Sequence, residues 1–200
     1  MNLAWKKLAG VLVMSLVMSV AAGAAGEKEK ESKGTKISLE QALKKVFPEL
    51  TNHPEAEAIY VDDKSLASKC DYEKDKGCKV YPVKKKDLLL GYAIAWTSED
   101  GFKDLIKVLV GITCGGEIVG LEILEQNETP NRGSKITEAE FLNQFVKRNL
   151  QNTSFKIEKD GGDIKAVSGA SFSSKAVVSA VKEALEFYGR NKDSLAKKPR

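Results

Sequence analysis

Apolar and polar residues alternate with two distinct periods along this chain, and the switch between them outlines the fold. Over 39–47, Leu39, Ala42, Leu43, Val46 and Phe47 recur at helical spacing. Ser38 and Gln41 form a capping box ahead of them, and Pro48 ends the run. The period then shortens to two. Strands are predicted over 57–62, 80–83, 88–96, 106–113 and 118–125, with one helical turn near 64–69. Within 91–96, Tyr92, Ile94 and Trp96 share one face. Residues 114–117, Cys-Gly-Gly-Glu, bend one hairpin. These half-apolar strands predict an antiparallel sheet with one covered face. The helical period returns at Phe141, Leu142, Phe145, Val146 and Leu150, behind a second capping box formed by Thr137 and Glu140. A last strand is predicted over 152–158. A final helix starts near Ser173 or Ser174 and carries Ala176, Val177, Ala180, Val181, Ala184 and Leu185 on one stripe. The fold class is α+β: a twisted, mainly antiparallel sheet with helices near 38–47, 137–150 and 174–189.

The ends of the chain lack this patterning. Lys6 and Lys7 precede an apolar run over 8–25 that closes on small residues. Residues 1–25 therefore read either as a secretory signal cleaved near Ala24 or as an uncleaved membrane anchor. In both cases the lysines stay on the cytoplasmic side and the domain faces outward. Residues 26–36 are a charged linker without apolar periodicity, residues 37–190 form the domain, and 191–200 are a basic tail expected to fray.

Composition narrows the function. Two hundred residues suit one domain with a real core. The net charge of +4 is mild, and no basic patch is interleaved with aromatics, so nucleic acid is not an expected partner. Export permits a disulfide between Cys70 and Cys78, which flank a charged loop; the alternative is two free thiols. Their spacing does not suit zinc, and His53, the single histidine, is remote. Cys114 reads as a buried or turn thiol, and no metal site is expected.

The chemistry concentrates in 164–174. A β-branched lead-in reaches Ser168-Gly169-Ala170-Ser171, with Phe172, Ser173 and Ser174 at the mouth of the last helix. Short side chains admit a ligand to the main chain, and unpaired N–H groups at a helix start favour an anion. An ordinary serine-rich helix cap has the same local sequence.

A wider set of residues distinguishes the two. Gly91-Tyr92, Val110-Gly111-Ile112, Gly116, Ile118, Gly120, Glu128-Thr129-Pro130, Gly133 and Ser168 to Ser171 occur in order. Over about 85–190 this set resembles the FMN-binding domain family, which includes the G subunit of Rnf-type electron-transport complexes and the C subunit of the sodium-pumping NADH:quinone reductase. The resemblance implies FMN held covalently by a phosphoester on Ser171, attached by a flavin transferase. It implies cofactor contacts from Ser168, Gly169, Ala170, Phe172, Ser173, Glu128 and Thr129, and, through Gly101-Phe102, a second turn near the ring. It also implies a redox carrier that works with partner proteins of a membrane electron-transport complex and catalyses nothing on its own. The expected location is the outer face of the cytoplasmic membrane or the periplasm. Two other readings stand beside it: a stand-alone exported flavin reductase, and a flavin-free structural or sensory module. The chain departs from the family pattern at Lys165, where an acid is usual and Asp163 lies two positions early. It departs again at Asn131-Arg132, which replace Gly-Leu, and in having serine for threonine at position 171.

Overall fold

The computed structural model describes residues 34–197. The signal or anchor over 1–25 and most of the charged linker lie outside the described residues. Among the described residues no helix is long and apolar enough to cross a membrane.

Among the described residues, seven strands form one antiparallel sheet: β1 (Thr35–Lys36), β2 (Ile59–Val61), β3 (Tyr72–Glu73), β4 (Gly77–Lys85), β5 (Leu88–Ser98), β6 (Ile106–Thr113) and β7 (Ile118–Gln126). Their order is β1-β7-β6-β5-β4-β2, with β3 also paired to β4. The expected linker ends early, because Thr35 and Lys36 pair with Gln126 and Glu125 as an edge strand. Helix α1 (Leu39–Val46) starts at the anticipated capping box, where Ser38 and Gln41 exchange hydrogen bonds of 3.2 Å.

Both faces of the sheet are covered, not one. Tyr92, Ile94 and Trp96 do share a face, which packs under the long helix α3 (Ser171–Lys197). Trp96 meets Phe187 with ring centroids 5.4 Å apart, and Tyr92 meets Tyr188 at 5.7 Å. Trp96 Nε1 also donates to Glu183 Oε2 at 3.0 Å. The opposite face carries Ala93 and Ala95 on β5, with Ala93 aligned to Gly111 and Gly111 to Gly120. This row of small residues is where α1 lies down: a Cβ at position 111 would sit 2.3 Å from Val46 Cγ1. Small side chains suit a buried face as well as an exposed one, and here they mark close helix approach.

Three further expectations fail for identifiable reasons. The helix predicted over 137–150 is a single turn, α2 (Ala139–Leu142), between 3₁₀ turns at Gly133–Thr137 and Asn143–Phe145. Thr137 does not cap it; its hydroxyl donates to the Ser134 carbonyl. The chain leaves the helix at Val146 because Lys147 N–H donates to the Ile118 carbonyl and the Arg148 carbonyl accepts from Ile118 N–H, so the start of β7 captures it. The strand predicted over 152–158 is reduced to one parallel bridge between Ile157 and Ile164. Finally, α3 begins two or three residues early and runs on through the predicted frayed tail. Leu195, only 2 % exposed, is tucked into the main core and holds its end.

Cys70 and Cys78 are joined, with Cα atoms 5.6 Å apart and both side chains buried, which ties the β3–β4 corner beneath Trp96. Cys114 is an exposed turn thiol.

Candidate functional site

Antiparallel order brings the turn over 99–105, the loop over 127–133 and β1 to one end of the sheet, since Ser98 pairs with Ile106 and Thr35 with Gln126. The start of α3 arrives at the same end through the loop over 165–170. That loop is braced by Ser174, whose buried hydroxyl accepts from Val167 N–H at 3.0 Å and donates to the Ala170 carbonyl at 2.9 Å. Gly169 turns it with φ +73, a conformation costly for other residues.

These segments enclose a cleft of about 250 Å³ lined by Phe102, Glu128, Thr129, Arg132, Gly133 and residues 169–173. It unites seven of the eight expected contact residues. Ser168 is the exception: it lies in the wall of a neighbouring cleft of about 410 Å³ with Lys135, Gln144 and Lys165.

Glu128 is only 4 % exposed. Its Oε1 accepts from the N–H groups of Phe102 at 2.7 Å and Lys103 at 3.2 Å, and its Oε2 accepts from the Ser173 hydroxyl at 2.9 Å. Both carboxylate oxygens are thus spent on the protein itself, clamping the 101–103 turn to the first turn of α3. A Cβ at position 133 would stand 2.8 Å from Glu128 Oε2 and 2.9 Å from Ser173 Oγ, so only glycine lets the loop close over the clamp. Ser173 is buried in the same contact. Glu128 and Ser173 therefore build the cleft and leave other groups to face its contents.

Those groups are few. Ser171 stands half-buried at the head of α3, its hydroxyl engaged by no described residue. Its N–H and the next two lie in the first turn, where no helical carbonyl precedes them. Arg132 adds a fixed positive charge. Phe102 and Phe172 stand at the mouth, 64 % and 65 % exposed, with ring centroids 6.1 Å apart. Phe172 is therefore not a core residue. Phosphate suits the helix start and the guanidinium, and a flat aromatic ring suits the paired phenylalanines. The cleft is smaller than the roughly 300–1,000 Å³ of enclosed small-molecule sites. A ring held here would thus lie partly open to solvent.

The departures from the family pattern acquire definite positions. Asn131 sits at φ +57, the left-handed conformation that glycine adopts most readily and asparagine tolerates, so the turn survives the substitution. Lys165 exchanges main-chain hydrogen bonds with Gln144, at 2.8 and 3.1 Å, and its side chain is exposed at the neighbouring cleft. Asp163 cannot replace the missing acid, because its carboxylate accepts from Ser154 N–H at 2.6 Å. Gln126 is not legible as a site residue, since a polar residue at a strand end carries no distinguishing signal; Ser174 is legible as a serine at the helix start, but its bracing of the loop is not. Among the described residues no cluster of metal ligands occurs.

A family model described as FMN-binding domain matches residues 101–186. The G subunit of the ion-translocating oxidoreductase complex of Erwinia tasmaniensis is 32 % identical over 153 residues, covering 74 % of this chain and 69 % of its own. The corresponding G subunit of Methanosarcina acetivorans is 29 % identical over 189 residues, covering 91 % and 95 %. Among solved structures, Shewanella oneidensis NqrC superposes with a TM-score of 0.50 at 18 % identity over 68 % of this chain and 74 % of its own, a likeness of fold. With a cleft suited to phosphate and a flat ring inside the segment that matches the FMN-binding domain model, the chain belongs to the family of the G subunits of ion-translocating oxidoreductase complexes.

Proposed function

We propose that this protein is an electron-carrying subunit of an ion-translocating oxidoreductase complex, and that it holds FMN covalently through a phosphoester on Ser171. One observation carries the reading: the Ser171 hydroxyl shares a cleft with the free N–H groups of α3, the Arg132 guanidinium and two exposed phenylalanine rings. When bound, FMN supplies one- and two-electron transfer.

The roles of the chain's own groups follow from their chemistry. Ser171 Oγ gives up its proton and bonds to the FMN phosphorus of an activated flavin dinucleotide brought by a flavin transferase, while the diphosphate P–O bond breaks and a nucleoside monophosphate leaves. The phosphodiester keeps one negative charge, which the first-turn N–H groups and Arg132 stabilise. Phe102 and Phe172 give the ring an apolar seat, and the Thr129 hydroxyl offers a hydrogen bond to a ring heteroatom. The first 25 residues export the domain, as signal or anchor, to the outer face of the cytoplasmic membrane, where the disulfide is stable.

Mass spectrometry of the exported protein, co-expressed with its flavin transferase, tests this directly. One flavin mononucleotide on the peptide containing Ser171 is expected, and the same spectrum shows whether residues 1–24 have been removed. Ser171→Ala should lose the ultraviolet fluorescence of the band on a denaturing gel while retaining native circular dichroism. A native chain without flavin, or a Ser171→Ala band that still fluoresces, overturns the assignment.

A further inference from the structure

The clamp at Glu128 does not end at the cleft. Its own N–H donates to Gln126 Oε1 at 2.7 Å, and Gln126 Nε2 donates in turn to the Thr35 hydroxyl at 3.0 Å. Gln126 is buried, so both ends of its amide need partners. An amide has an accepting oxygen and a donating nitrogen, and turning it over exchanges them. The Glu128 N–H, which can only donate, fixes the oxygen toward itself, and Thr35 Oγ1 accepts from the nitrogen left facing β1, so the amide bridges the two. Were the amide reversed, two N–H donors would face each other and Glu128 would lose the bond that orients its backbone. The amide thus joins the clamp at Glu128 to β1, and its buried nitrogen keeps a partner only while β1 is docked.

That docking is built for close contact but has little to hold it. A Cβ at position 34 would fall 2.2 Å from the Gln126 carbonyl oxygen, so the chain reaches β7 only because Gly34 has none. β1 itself is two residues long, exposed, and held by its ladder, the Ile37 N–H bond to the Leu124 carbonyl and the Lys36–Glu125 ion pair. Short, exposed edge segments open at low free energy. We propose that Gln126 is a positioning residue through which β1, the strand that follows the N-terminal linker, sets the geometry of the flavin cleft. The clamped turn carries Phe102, and the clamped helix start carries Ser171 and Phe172, so undocking of β1 loosens both walls. This inference rests on the reading of that cleft as the flavin seat.

The test uses the full chain with Thr35→Val, which keeps a β-branched residue on an exposed strand and removes only the acceptor, and with Thr35→Ser, which restores it. Amide hydrogen exchange is followed at Phe102 and Lys103, whose N–H groups bond to Glu128. In Thr35→Val their exchange should rise about fivefold, the effect of losing one ordinary hydrogen bond, and Thr35→Ser should return it to the native rate. Covalent flavin loading by the transferase should slow in Thr35→Val and recover in Thr35→Ser. Unchanged exchange at 102 and 103, or a rise shared equally by β5 and β6, overturns the proposal. The exchange measurement needs no flavin, so it separates the two claims. If Ser171→Ala still carries covalent flavin, the attachment site is wrong and the coupling stands; if Thr35→Val leaves exchange at 102 and 103 unchanged, the coupling is wrong and the attachment stands.

Discussion

Glu128 concentrates more of the site's order than any side chain that faces the cleft, because one buried carboxylate satisfies two main-chain donors and a serine hydroxyl. Glu128→Leu keeps roughly the size but removes both acceptors, leaving the N–H groups of Phe102 and Lys103 and the Ser173 hydroxyl without their partner. A loss of about 2–3 kcal/mol is expected, read as a lower urea midpoint together with poorer flavin loading. Gly133→Ala attacks the same clamp sterically, since its methyl would overlap Glu128 and Ser173. Overpacking of this kind costs about 1–3 kcal/mol. Arg132 acts differently, through charge. A cation beside the cleft favours the anionic reduced ring, so Arg132→Leu should lower the flavin midpoint potential by an amount equivalent to roughly 1 kcal/mol, with stability unchanged. A potential that stays the same or rises would remove Arg132 from the site.

The elements around the cleft differ in what secures them. The β3–β4 corner depends on the disulfide, which closes a loop with a sequence separation of 8. Replacing both cysteines by alanine should cost about 2.5 kcal/mol in the loop-closure picture, seen as a lower melting temperature. The end of α3 depends on burial. Leu195 is packed into the main core, so Leu195→Ala should cost about 2–4 kcal/mol. A frayed tail would show no change. The segment after α2 combines burial with pairing: Phe145 sits fully buried in the main core, and Lys147 and Arg148 bond to Ile118.

For the molecule as a whole, alkaline pH is one sensitive direction. Burial pushes the Tyr188 hydroxyl up to about 12, with Cys114 and Tyr92 adding to the effect. Burial, with the neighbouring Asp71 carboxylate, raises Tyr81 further still. A folded-state pKa above the unfolded value near 10 means that the native state holds these protons more tightly. The stability they contribute is complete below pH 10 and is lost as pH climbs through the folded values. The melting temperature should therefore fall above about pH 10, and less steeply in Tyr188→Phe. That variant should also lose the 3.0 Å hydrogen bond to the Cys114 carbonyl at every pH.

Local chemistry was enough to specify the central strands, the capping box at Ser38, the stripe of α3 and the cluster around Ser171, because each is written in periodicity, capping or motif order within a few residues. Contacts between distant segments decided the rest. Lys147 and Arg148 bond to β7 and break a well-patterned helix, Leu195 extends another past its polar-looking end, and the row Ala93–Gly111–Gly120 receives α1 on a face that period alone leaves open. The role of Glu128 belongs with these. A carboxylate in a polar loop has the same local sequence whether it is solvated or buried, and only the meeting of Phe102, Gly133, Ser173 and Gln126 around it excludes water and makes it the clamp of the site.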